Sequence, residues 1–290
     1  MQLNGRTIVL FGANGNLGQA LAPAAAQAGA IIQTMGWATG TSAVDADCRD
    51  ILGRLAAIKG DIDIVFAGGV TDPAASQAIL MSANVERPLA VIDATLDDQR
   101  YRYLTIGSAL ESFSGLTASN RYLASKALLC RRIETLARDP RRRGKLVHLR
   151  GHTFYGGRPA PHSFLGQLYA SLQTRQPFRM SAGHQLREYV HVEDVARSIV
   201  ALLAHDWAEF ATIDLSTGEP IKLRDLATAV FRAFRCEDLL RLGELPTPSG
   251  ENESQPFARS PDWLIGRPRA PVEGIIQWLS AVLERPRGKD

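Results

Sequence analysis

The sequence predicts an α/β protein built on a doubly wound parallel sheet, and three observations carry the prediction. The apolar run Thr7 to Phe11 breaks into glycines at Gly12, Gly15 and Gly18. Strand-like and helix-like stretches alternate after it, and strand-like stretches end in small residues such as Ala67, Gly68 and Gly69, or Gly107 and Ser108. With 290 residues, 45% of them hydrophobic, the chain is long enough for a full core and a second small lobe.

Ile8, Val9, Leu10 and Phe11 suit a strand buried on both faces. The glycines let the chain turn sharply and approach a ligand, and the following helix aims its free N–H groups and positive dipole end at that ligand. A pyrophosphate fits. The GxxGxxG spacing differs from the GxGxxG dinucleotide fingerprint but uses the same mechanics; a purely structural turn is the alternative. An alanine-rich helix then runs to about Ala28 and Gly29, kinked or shortened by Pro23. A second strand, Ile31 to Met35, ends in Gly36 and Trp37, where an NAD-selective site places an acid. None is there, and Thr39, Thr41 and Ser42 offer hydrogen bonds to a 2′-phosphate. The choice between NADP and NAD therefore stays open, with NADPH slightly favoured.

Asp45 to Asp50 leads into a helical pattern, Asp61 to Ala67 gives a third strand, and a helix from about Ala74 through Leu96 carries Asn84. Tyr101 to Ile106 is a fourth strand that delivers Gly107 and Ser108 at its carboxyl end, where α/β sheets bind ligands. The next helix begins near Asn120 and sets Tyr122 and Lys126 on one face at i, i+4. A tyrosine serves as acid or base near neutrality if its pKa falls by about three units, about 4 kcal/mol. A cation about 4 Å away at an effective dielectric near 20 supplies that much. An exposed Tyr and Lys pair with no role is the alternative reading. Lys145 to Gly151 forms another strand, Ala196 to Ala204 a helix, Thr212 to Leu215 a strand returning to the sheet, and Leu223 to Phe234 a helix. Leu245 to Pro261 is a surface loop or one that covers substrate.

Composition excludes several classes. A net charge of +3 is too small to argue for nucleic acid, and Arg141, Arg142 and Arg143 form a solvated loop. Cys48, Cys130 and Cys236 have no CxxC spacing, and His152, His184 and His191 no metal spacing, so no disulfide framework or metal is expected. No apolar run of bilayer length occurs, and a cytoplasmic protein is expected.

In order along the chain stand GANGNLG at Gly12 to Gly18, DCRD at Asp47 to Asp50, AGG at Ala67 to Gly69, Asn84, GSA at Gly107 to Ala109 and YLASK at Tyr122 to Lys126. GHQLREYVHVEDVA at Gly183 to Ala196 and LIGRPRAPVEGIIQWL at Leu264 to Leu279 follow. With these the chain resembles the extended short-chain dehydrogenase/reductase family, the NAD(P)-dependent epimerases, dehydratases and reductases of nucleotide sugars. The resemblance implies a Rossmann-type domain at residues 1–155, completed by about 187–217, and a smaller, discontinuous substrate lobe at 156–186 and 218–290. It implies that Tyr122 is the acid/base, that Lys126 holds the nicotinamide ribose and lowers the tyrosine pKa, and that Ser108 hydrogen-bonds the reacting oxygen. Gly12, Asn14, Gly15, Asn16, Leu17 and Gly18 would hold pyrophosphate, with Ala67, Gly68 and Gly69 beside the cofactor. Asp47 and the backbone of Cys48 would meet the adenine.

Arg187 would pair with a sugar nucleotide's diphosphate, or else be solvated or paired with Glu188. Thr153 stands where the family often has asparagine, and His162 where GDP-fucose synthases place an acid, a polar residue at a helix start being the alternative. Asn84 would bond backbone. A homodimer through the Tyr122 helix and the preceding long helix is implied as well.

Sugar 4,6-dehydratases place an Asp-Glu pair just after the catalytic Thr, whereas Ala109 and Leu110 follow Ser108 here. The expected reaction is reduction of the 4-keto group of a nucleotide-linked 6-deoxysugar, favoured by the short chain and the compact stretch from Ser108 to Tyr122. A nucleotide-sugar 4-epimerase is the runner-up, and a non-catalytic NAD(P) sensor the distant alternative.

Overall fold

The structure, a computed structural model, describes residues 2–37, 44–72, 74–247, 251 and 257–284, and for 44–47 the backbone alone. Thr39, Thr41, Ser42 and the side chain of Asp47 lie outside the described residues. In chain order the first part runs β1 (Thr7–Phe11), α1 (Asn16–Gln27), β2 (Ile31–Met35), α2 (Val44–Ala56), β3 (Ile62–Phe66), α3 (Gln77–Met81), α4 (Arg87–Thr95) and β4 (Tyr101–Ser108). It continues through α5 (Ser114–Ser119), α6 (Arg121–Ala137), β5 (Leu146–Gly151), β6 (Thr153–Tyr155), α7 (Phe164–Thr174), β7 (Phe178–Arg179), β8 (Leu186–Arg187) and β9 (Tyr189–His191). The last elements are α8 (Val192–Leu203), β10 (Thr212–Leu215), β11 (Ile221–Lys222), α9 (Leu223–Ala233), β12 (Leu240–Arg241), α10 (Asp262–Ile265) and α11 (Pro271–Glu284).

Two compact units divide the chain. The first, Met1–Gly151 with Val195–Leu215, holds a six-stranded sheet in the order β10-β5-β4-β3-β1-β2, every pair parallel. β1 and β3 are buried along their whole length, as apolar runs covered on both faces must be. The strand order reverses between β1 and β3. A parallel sheet binds ligands at such a reversal, beyond the carboxyl ends of its strands.

Asp63 on β3 is the one acid in these two buried strands, and two guanidiniums meet it. Arg6 donates at 2.7 and 2.8 Å and Arg102 at 2.7 and 3.1 Å. Arg102 also lies 4.2 Å above the ring of buried Trp207.

The second unit, His152–Asp194 with Ser216–Asp290, packs α7, α9 and α11 around Leu168, Phe178, Leu226, Phe231, Ile275 and Leu279. Its two-stranded ladders join β6 to β9, β8 to β11 and β7 to β12. These pairings correct the expected boundary: Thr153 pairs with Tyr189 and Arg187 with Ile221, so residues 152–155 and 187–194 belong here rather than with the sheet.

Two helices also differ from expectation. α1 runs on through Pro23 without the expected shortening; Pro23 is exposed, as is Gln19, whose carbonyl that proline cannot meet. The helix expected from Ala74 to Leu96 is interrupted by a π-helical turn at Ser82–Glu86. Pro88 has no N–H to continue the ladder, and the wide turn carries the Asn84 side chain inward.

Candidate active site

At the reversal between β1 and β3 the two turns meet backbone to backbone. Gly12 has φ of +85°, and a Cβ there would lie 2.3 Å from Gly68 N. A Cβ on Gly18 would lie 2.1 Å from Gly12 O, so both positions require glycine. Ala67 N donates to Phe11 O at 3.0 Å, and exposed Asn14 accepts from Gln19 Nε2 at 3.0 Å through its carbonyl. Leu17 and Gly18 are buried and Asn16 is half-buried at the first position of α1. No side chain caps this helix, whose N-cap is Gly15. A cradle without side chains before an uncapped helix fits a dinucleotide's pyrophosphate. Cys48 turns its thiol into the core beside Ile51 and Leu55, which leaves its main chain for any ring contact.

Beyond β2, Trp37 stacks on Phe11 with centroids 4.9 Å apart, Phe11 stacks on Phe66 at 5.0 Å, and the Arg87 guanidinium lies 5.5 Å from the Trp37 centroid. Arg87 opens α4, fifty positions along the chain, so a reading of the sequence around β2 finds no cation there.

The third part lies at the carboxyl end of β4 and on α6. Asn120 caps α6 by accepting from Leu123 N at 3.1 Å, which places half-buried Tyr122 and buried Lys126 in its first two turns. Lys126 Nζ donates to Ile106 O at 2.9 Å. Asn84 accepts from Val70 N and donates to Val70 O, each at 2.9 Å, as the resemblance implied for a backbone-bonding asparagine. Gly69 lies between them, since a Cβ there would be 2.6 Å from Asn84 Oδ1 and 3.4 Å from Lys126 Nζ. Ser108 is the N-cap of a short 3-10 helix at Ala109–Ser112 and forms a capping box with Glu111. Its Oγ accepts from Leu110 N at 3.3 Å, and its N–H donates to Glu111 Oε2 at 2.9 Å.

Burial pushes the Lys126 ammonium down to about 8. Burial and the nearby Glu111 carboxylate push the Tyr122 phenol above its usual range. This corrects the lowered tyrosine pKa expected from Lys126: the ammonium lies 6.0 Å from the ring centroid and is engaged by Ile106. Glu111 itself has no forerunner in the sequence reading. It stands three positions after Ser108, outside the pair of positions where an acid serves dehydration, and its signal is Gly107. A Cβ at Gly107 would fall 2.1 Å from His148 Nε2 and 2.7 Å from Glu111 Oε2.

The remaining candidates belong to the second unit. Arg187 donates to Glu251 Oε2 at 2.5 Å and to Leu186 O at 2.9 Å, so its acidic partner is Glu251 and not Glu188. Glu188 is fully buried, accepting from Ser216 Oγ at 2.8 Å and from Thr217 N. Thr153 N donates to Glu188 O at 3.0 Å. His162 is exposed; Ser163 caps α7, its Oγ accepting from Gly166 N at 3.0 Å.

Residues 8–211 match the family model of the NAD dependent epimerase/dehydratase family. Among curated proteins none matches this chain by sequence. Solved structures match across nearly its whole length. A UDP-N-acetylglucosamine 4-epimerase from Methanobrevibacter ruminantium superposes with a TM-score of 0.75 at 13% identity, covering 97% of this chain and 99% of the other. The UDP-glucose 4-epimerase of Thermus thermophilus, complexed with NAD, gives 0.73 at 17% identity over 94% and 98%. RMD from Pseudomonas aeruginosa, complexed with NADPH, gives 0.75 at 14% identity over 96% and 98%. At these identities the likeness is one of fold.

Proposed function

Because this chain belongs to the NAD-dependent epimerase/dehydratase family, we propose that it reduces the 4-keto group of a nucleotide-linked 6-deoxysugar with NAD(P)H. The observation that carries this reading is the capping box at Ser108. One lone pair of Oγ is taken by Leu110 N–H, so the hydroxyl proton is left to donate to a carbonyl oxygen. The nicotinamide supplies hydride when bound. Tyr122, kept in its phenol form by burial, donates the proton that the reduced oxygen takes up. Lys126, anchored to Ile106 O two residues before Ser108, holds a positive charge beside the phenol and steadies the tyrosinate left behind.

Gly12, Gly15 and Gly18 keep side chains out of the pyrophosphate's way, and the uncapped first turn of α1 supplies main-chain N–H groups. A cation beyond β2 is the arrangement that accommodates a 2′-phosphate, and Arg87 over Trp37 supports NADPH as the cofactor. Arg187 keeps a diphosphate role by family resemblance, one in which Glu251 must yield its place.

The test is loss of reduced-nicotinamide absorbance with nucleotide-linked 4-keto-6-deoxysugars, matched one for one by reduced sugar. A second reading, a nucleotide-sugar 4-epimerase, uses the same serine, tyrosine and lysine, and similar solved structures are described as 4-epimerases. It predicts interconversion of product isomers with no net oxidation of NADPH.

A further inference from the structure

Beneath Ser108 a chain of hydrogen bonds, buried except at its Ser108 end, crosses from β4 to β5 and back. Thr105 Oγ1 lies 2.7 Å from His148 Nδ1, His148 Nε2 lies 2.9 Å from Glu111 Oε1, and Glu111 Oε2 accepts from Ser108 N at 2.9 Å. Thr105 and His148 are direct partners in the strand register, and both are sealed from solvent, as is the Glu111 side chain to within 2%. The Thr105 hydroxyl also reaches Val147 O, at 3.5 Å. The Glu111 carboxyl thus faces Ser108 N–H and the His148 ring, and against its burial these and Lys126 bring it below its usual range, so it is an anion. An anion so deeply buried requires a positive partner.

A positive group is tethered to the same strand by the main chain. Lys126 bonds the carbonyl of Ile106 and Glu111 the N–H of Ser108, so the two charges grip β4 on either side of Gly107, whose missing side chain leaves room for the carboxylate. We propose that Glu111 is the buried anionic partner of the Lys126 ammonium, held in place by His148 and Thr105, and acts as a positioning residue through that lysine. The proposal rests on Tyr122 and Lys126 being the reacting pair.

His148 touches the Glu111 carboxylate directly, at 2.9 Å; the titratable groups remaining around it besides Lys126 supply it no positive charge. Tyr122 and Cys130 on α6 are both pushed up, mainly by burial, the thiol to about 12, and so stay neutral; Arg150 on β5 is engaged by Asp214 at 2.6 Å. Burial alone would raise the Glu111 carboxyl, but His148, Ser108 N–H and Lys126 together bring it below its usual range. Glu111 in turn opposes the loss of the Lys126 proton that burial favours.

Glu111→Gln tests this, because glutamine keeps the shape and the acceptor for Ser108 N while removing the charge. The chain has five lysines, Lys59, Lys126, Lys145, Lys222 and Lys289, so the Lys126 Nζ signal is assignable in a 15N-labelled protein against Lys126→Arg. The Lys126 midpoint is expected to fall by about one pH unit or more, a tenfold loss of proton affinity, and the alkaline limb of turnover to move with it. An unmoved midpoint overturns the proposal, even if the variant melts earlier.

The reciprocal measurement does not depend on Glu111→Gln folding. In Lys126→Met the Glu111 carboxyl carbon should titrate about one unit or more higher than in the wild type, and an unchanged midpoint overturns the proposal. Both midpoints are read without substrate, so they answer separately from the reductase assay.

Discussion

The Asn84 side-chain amide donates to Ser125 Oγ at 3.0 Å, and the residue after that serine is Lys126. One asparagine thereby ties the loop after β3 and the π-turn to the helix that carries the tyrosine and lysine. Asn84→Ala would strand Val70 N–H and Val70 O and take from Ser125 Oγ its donor, leaving that hydroxyl its bond to Tyr122 O. The expected cost is about 1–3 kcal/mol, read as a lower midpoint in denaturant unfolding. Asn84→Asp keeps the acceptor for Val70 N but loses both donors, and should recover part of the loss.

Asp63 tests the sheet in the same way. Replacing it with Asn leaves Arg6 and Arg102 facing each other across β3 without the carboxylate they share. Breaking a buried ion pair from one side costs about 3–5 kcal/mol, and urea unfolding should register a loss of that order. Asp61, at 68% side-chain exposure and 3.9 Å from Arg6, should tolerate Asn with less than about 1 kcal/mol of change.

Tyr122→Phe should lower turnover by about a hundredfold to ten-thousandfold, the contribution of a positioned proton donor. Binding of reduced nicotinamide, followed by its fluorescence, should persist. A variant that keeps full turnover excludes Tyr122 as the acid.

Lys126 should leave a mark on stability against pH. Its folded pKa is depressed to about 8 from 10.5, so between those values the unfolded chain holds a proton that the folded chain lacks. Unfolding free energy from this group therefore rises with pH: its penalty is full below 8 and gone by 10.5. Measured against Lys126→Met, the wild type should gain about 3 kcal/mol across that window. A constant difference between the two proteins contradicts the depressed pKa.

Arg87→Gln should weaken NADPH about tenfold or more and leave NADH little changed, with binding followed by quenching of indole fluorescence. Equal weakening of both cofactors assigns Arg87 to packing against Trp37 instead.

How much of this was legible in the sequence depended on whether the cause lay close by in the chain. The glycine turn, the parallel sheet and the Tyr122–Lys126 helix follow from local patterns, because a run of apolar residues, a glycine or an i, i+4 pair acts over a few positions. Arg87 beside Trp37 and His148 beside Glu111 depend on which strands become neighbours, and no local pattern states that. The direction of the Tyr122 pKa was missed for a related reason. Helical spacing brings a lysine near, but the lysine's own acceptor, Ile106 O, and the carboxylate of Glu111 arrive from elsewhere. Likewise β8 and β9 sit close in sequence to α8, yet their ladder partners, β11 and β6, assign them to the second unit.

The interleaving of the two units constrains how the protein emerges from a ribosome. When residue 151 has been synthesised, β5 is the outermost strand, with one row of main-chain groups unpaired. The strand that covers it, β10, comes only after residues 152–194, which belong to the other unit, have been made. Until Leu215 appears, the nascent sheet carries a bare edge of the kind that recruits foreign strands. A gene cut at any single position would leave at least one unit incomplete, so shortened versions should be recovered as aggregates rather than as half-proteins.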